Sequence, residues 1–77
     1  MEIKAVVVYN KRNETINVYI YGLEKVFKIL EKHNFEQSDE EDGVLVWFGY
    51  PEDVKDITKF IDELKKATIA VEYVEEQ

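Results

Sequence analysis

A chain of 77 residues, 45% of them hydrophobic, can close one core but not two, so residues 1–77 are expected to form a single domain. Ten basic against seventeen acidic side chains give a net charge of −7, which argues against direct binding of nucleic acid through its phosphates. Zero cysteines and a single His33 exclude disulfides, Cys-ligated zinc and thiol chemistry.

The first element is Ile3-Lys4-Ala5-Val6-Val7-Val8-Tyr9, short and β-branched, hence a strand. Polar residues 10–14 make a turn, and in Thr15-Ile16-Asn17-Val18-Tyr19-Ile20-Tyr21 the apolar Ile16, Val18 and Ile20 alternate at the strand period. The two strands form a hairpin. Gly22 breaks the pattern, and Leu23, Val26, Phe27 and Leu30 then recur at helical spacing, predicting a helix to about His33 with Asn34 as a left-handed cap.

Phe35 to Asp39 is a strand candidate that dissolves into the charge run Asp39-Glu40-Glu41-Asp42, and Asp42-Gly43 is a hairpin turn signal. Val44-Leu45-Val46-Trp47-Phe48-Gly49-Tyr50 is the most apolar stretch and predicts a central strand whose end Gly49 bends. Pro51 suits a first helical turn, and Glu52, Asp53 and Asp56 favour the positive end of the helix dipole. Val54, Ile57, Phe60, Ile61 and Leu64 supply one buried stripe, and Lys65-Lys66 close this second helix. Thr68 to Val74 returns to alternation, with Ile69, Val71 and Tyr73 on one face, and Glu75-Glu76-Gln77 is a solvated end.

The order ββαββαβ predicts a small two-layer α+β domain, with an antiparallel or mixed sheet of about five strands and two helices on one face. Two layouts fit: a ferredoxin-like βαββαβ core with an extra N-terminal strand, or tandem ββα units related by a pseudo-twofold and followed by one more strand. Neither implies a function. A domain of this size has no bulk for a deep, walled cavity, so a shallow groove or flat face is the expected working surface.

Two helices cover one face of such a sheet, yet several strands are apolar on both. With Ile3, Ala5, Val7, Ile16, Val18, Ile20, Val44, Val46 and Phe48 assigned to the helices, the other face collects Val6, Val8, Tyr19, Tyr21, Leu45 and Trp47. Exposed apolar patches of that kind mark interfaces, and Tyr and Trp are enriched at their centres. The expectation is a face that binds a protein partner, either a second copy as a homodimer or a separate protein. A one-residue slip in the face assignment is the alternative. Bases could stack on such aromatics, but Lys4 is the only base on that face, so nucleic-acid binding is not expected.

Residues 1–35 carry a net charge of +2 and residues 36–77 a net of −9. The acidic side chains Asp39, Glu40, Glu41, Asp42, Glu52, Asp53, Glu72, Glu75 and Glu76 could imitate a phosphate array and inhibit a nucleic-acid-binding protein. Small acidic anti-defence proteins of mobile genetic elements act in this way, and the resemblance is one of composition. Asp39-Glu40-Glu41-Asp42 lacks the spaced ligands and terminal bidentate Glu of a calcium loop, so neither a metal nor a cofactor is expected.

For catalysis, His33 is the only histidine, and Thr15, Ser38, Thr58 and Thr68 sit in no nucleophile-elbow or phosphate-cradling sequence. A side chain near a helix C-terminus is an ordinary place for a cation, and an enzyme is not expected. No apolar run approaches the roughly 20 residues of a membrane span, and Met1-Glu2-Ile3-Lys4 does not open like a signal peptide, so a cytoplasmic location is expected.

Overall fold

The computed structural model describes residues 4–21, 24–68 and 70–77. Ile3, Gly22, Leu23 and Ile69, which the sequence reading assigned to the helix-facing side, a break, a helical stripe and a strand face, lie outside the described residues.

Alternating β-branched residues build a hairpin from β1 (Lys4–Asn10) and β2 (Thr15–Tyr21). Its loop is pinned by Asn10 Oδ1, which accepts the Asn13 amide at 2.9 Å. α1 (Glu24–Lys32) buries Val26 and Leu30. It ends on Asn34 at φ 63°, where the Phe35 amide donates to the Leu30 carbonyl at 2.9 Å and the Asn34 amide to that of Glu31 at 3.0 Å. These two bonds and the burial of both Leu30 and Phe35 are the Schellman ending that a left-handed Asn permits.

The charge run does not dissolve into a loop. β3 (Glu36–Glu41) contains Asp39, Glu40 and Glu41, and pairs with β4 (Val44–Gly49) through a two-residue turn with Asp42 at φ 52° and Gly43 at φ 81°. The strand exists because β4 supplies a template. Its own residues are all exposed, and charge is a common way to blunt a sheet edge.

The second helix is two. α2 (Pro51–Val54) ends at Lys55, whose φ of 66° and ψ of −55° form a three-residue turn in which the Asp56 amide donates to the Val54 carbonyl at 2.8 Å. Asp56 then caps α3 (Ile57–Ala67), its side chain accepting the Lys59 amide at 3.2 Å. Periodicity alone cannot show this break, because Val54, Ile57, Phe60 and Leu64 fall on the core side of both pieces. A lysine is strained at that φ and glycine is not, so Lys55→Gly is expected to stabilise the fold by about 1 kcal/mol. Thermal unfolding should show a Tm higher by roughly 4–8 °C, with Lys55→Ala giving no such gain.

β5 (Ala70–Glu76) completes the sheet, and it includes Glu75 and Glu76, which the sequence leaves as a solvated end. Strand order is β3-β4-β2-β1-β5, antiparallel except for the β1–β5 pair. The first four strands obey the pseudo-twofold, its axis between β2 and β4, which exchanges β1 with β3 and β2 with β4. β5 is then added outside β1. Omitting β1 leaves the βαββαβ connectivity, so the extra N-terminal strand is inserted within the sheet rather than at its edge.

The strand directions also explain the layering. β2 to β3 and β4 to β5 are both crossovers between parallel strands, they run in opposite directions along the sheet, and they start from antiparallel strands. With the usual right hand, both must lift their helices to the same side. Between that side and the helices lies the core, centred on Val7, Ile16, Val18, Ile20, Val26, Leu30, Phe60 and Leu64.

Candidate protein-interaction face

Side chains directly opposite in neighbouring strands share a face, so the register places every residue. Ala5, Val7, Ile16, Val18 and Ile20 lie on the helix side, as their alternation predicts, and Val6, Val8, Tyr19 and Tyr21 lie on the other.

β4 is the other way round from its sequence assignment. Trp47 pairs with Val18 and Leu45 with Ile20, so both point to the helices, whereas Val44, Val46 and Phe48 point away. Trp47 is 6% exposed and stacks on Phe27 of α1 with ring centroids 5.3 Å apart. Leu45 packs against the same core. The strand is apolar on both faces, so alternation carries no phase, and only pairing with β2 sets it. Gly49 follows the same parity, and rather than bending the strand end it leaves room for the Phe35 ring, which stacks on Phe60.

Across the uncovered face the residues form rows. One runs Glu72, Val6, Tyr19, Val46, Asp39 from β5 to β3. The next runs Val74, Val8, Asn17, Phe48, Glu36. At the far end, Tyr21, Val44 and Glu41 make a partial third row, and Tyr21 is 47% exposed. An apolar, aromatic centre on β1, β2 and β4 is therefore bordered by carboxylates. Val6, Tyr19, Tyr21, Val44 and Val46 with Glu41 and Asp42 enclose a shallow concavity of about 430 Å³.

The acidic residues that composition groups together do not share one surface. Asp39, Glu41, Glu72 and Glu76 border the uncovered face, but on opposite edges of the sheet, while Glu40 and Glu75 sit at helix-side positions. Four strand spacings of about 4.8 Å put the two edges roughly 19 Å apart. Asp42 lies in the turn, and Glu52 and Asp53 lie on α2. On the β5 edge Lys4 pairs with Glu72 at 2.6 Å and Lys11 with Glu75 at 3.0 Å. Burial and the neighbouring Glu75 carboxylate, to which it donates at 2.9 Å, push the Tyr73 hydroxyl up to about 12.

His33 joins α1 to α3. Its Nε2 lies 3.2 Å from Glu63 Oε1, Lys32 donates to Glu63 Oε2 at 3.0 Å, and the ring meets Phe60 edge-on. The Lys32 hydrogen bond, opposed by partial burial and aided by His33, holds the Glu63 carboxyl below its ordinary 4.5. A depressed carboxylate contributes stability that is present above the ordinary range and is lost as pH falls through it. With the Glu63 side chain 34% exposed, the contribution is small, under about 1 kcal/mol. Glu63→Gln should therefore melt slightly below the wild type at neutral pH, with the difference vanishing as pH falls below the carboxylate range.

Among the described residues, no three His, Cys, Asp or Glu side chains converge in a way that could hold a metal ion, and no helix is long and apolar enough to cross a membrane. No family model, curated protein or solved structure matches the chain.

Proposed function

We propose that the protein is a non-catalytic interaction module that binds a protein partner through the uncovered sheet face. The observation that supports this most is the contiguity of Val6, Val8, Tyr19, Tyr21, Val44, Val46 and Phe48 across three adjacent strands, on the face opposite the described helices. Leaving such a surface in water forgoes about 25 cal/mol for every Å² of apolar area, and a partner recovers it. The binding centre is Tyr19 and Val46, flanked by Tyr21 and Phe48, in place of the Trp47 and Leu45 of the sequence assignment.

The triple variant Tyr19→Thr, Val46→Thr, Phe48→Thr tests the reading, because threonine keeps the strand propensity while removing the apolar contact. It is expected to fold, with its circular dichroism unchanged. In affinity capture from the native host, proteins held by the wild type should be lost by the variant. An identical set on both, together with a concentration-independent monomer in sedimentation, would rule the face out.

A further inference from the structure

Resting on the reading that the uncovered face binds protein, we infer that its occupant is an amphipathic α-helix of a partner, with an apolar stripe flanked on both sides by Lys or Arg, lying along the strands. Charge and size both point to it. The first long row is apolar in the middle and ends in carboxylates, Glu72 and Asp39, and the second, which carries Asn17 between Val8 and Phe48, ends in Glu36 on the β3 side. Glu41 and Glu76 extend the two borders. Lys4, on the same face of β1, pairs with Glu72, so the β3 border of Glu36, Asp39 and Glu41 carries most of the charge open to a partner.

The apolar strip covers three strands, hence two spacings or about 10 Å, close to the diameter of an α-helix. Along the strands the outward apolar positions run from Val44 to Phe48, four steps or roughly 13 Å, which matches about nine helical residues. The concavity beside Tyr19 and Tyr21, with Glu41 and Asp42 on its wall, suits an arginine whose guanidinium lies on a ring and meets a carboxylate.

A second copy of this chain fits less well. Stacking two such faces sets carboxylate borders against each other in a molecule of net charge −7. A partner carrying the opposite sign gains where a copy is repelled.

The test uses the full chain and two synthetic helical peptides that share a leucine stripe, one flanked by Lys and Arg and the other by Glu. Binding is read by fluorescence anisotropy, with sedimentation of the protein alone in parallel. The basic peptide should bind, lose affinity as salt rises, and bind about tenfold more weakly to Glu36→Gln, Asp39→Asn, Glu41→Gln. It should not bind the triple threonine variant.

Equal binding of the two peptides, or an unchanged affinity of the neutralised variant, overturns the inference. The face reading itself still holds if the threonine variant abolishes that binding. A dimer that the threonine variant dissociates, with neither peptide bound, overturns the inference in favour of a second copy and keeps the face. No peptide binding by a persistent monomer overturns the inference, and the host capture experiment then decides the face.

Discussion

Trp47→Asp is expected to unfold the protein rather than merely weaken a contact on its surface. Replacing a buried tryptophan by a small side chain costs about 3–5 kcal/mol, and an unpaired carboxylate in that position adds several more. At roughly 0.05–0.15 kcal/mol per residue, a domain of 77 residues has about 4–12 kcal/mol in total. The loss is therefore as large as most of that range. Circular dichroism at 25 °C should show a largely unfolded chain, whereas Tyr19→Asp, on the uncovered face, should retain its sheet.

Trp47→Phe gives the complementary result. Among the described residues the buried indole N–H has no hydrogen-bond partner, so phenylalanine removes a donor whose isolation costs about 1–3 kcal/mol while keeping the stack on Phe27. Its Tm should fall much less than the lost ring volume alone implies. A folded Trp47→Asp variant, or one that loses only a binding partner, would return Trp47 to the outer face and reverse the register of β4.

Gly49→Ala is the second large effect. A Cβ built on Gly49 would lie 2.7 Å from three atoms of the Phe35 ring. The ring cannot retreat, because its other side is stacked on Phe60 with centroids 5.3 Å apart and planes 10° from parallel. Overpacking of this kind costs about 1–3 kcal/mol, and a clash with a ring held on both sides belongs at the upper end. For a domain of this size, Tm should fall by roughly 10–20 °C.

Phe35→Leu in the same chain should recover part of that loss, since the smaller side chain vacates the space the new methyl needs. Additive losses in the double variant would show that the ring and the glycine do not share this space. Neither substitution touches the uncovered face. A drop in partner binding that tracks only the folded fraction would separate the core from the interaction surface.

Much of the architecture was legible along the chain. Ile16, Val18 and Ile20 alternate with polar or half-exposed neighbours, so β2 has a phase, and its hairpin partner β1 inherits one. Asn34 and Asp42-Gly43 adopt positive φ where their side chains predict it. The helical stripes of Val26 and Leu30, and of Phe60 and Leu64, became the buried contacts of α1 and α3. These features depend on local sterics and spacing of two to four residues, which a sequence carries directly.

Three things escaped it, because no signal along the chain carries them. The strand expected from Phe35 to Asp39 continues through the charged Glu40 and Glu41, which have little intrinsic strand character, because β4 offers them its hydrogen bonds. Lys55 breaks a helix whose apolar spacing continues straight through it. Val44, Val46 and Phe48 were exchanged with Leu45 and Trp47 because every position in β4 is apolar, and such a strand reads the same from either side. The sequence by itself determined that this acidic chain folds as one α+β domain with a second apolar sheet face. Only the tertiary structure decided which side chains form that face and where its carboxylates lie, because both are set by strand register, a relation between residues far apart in the chain.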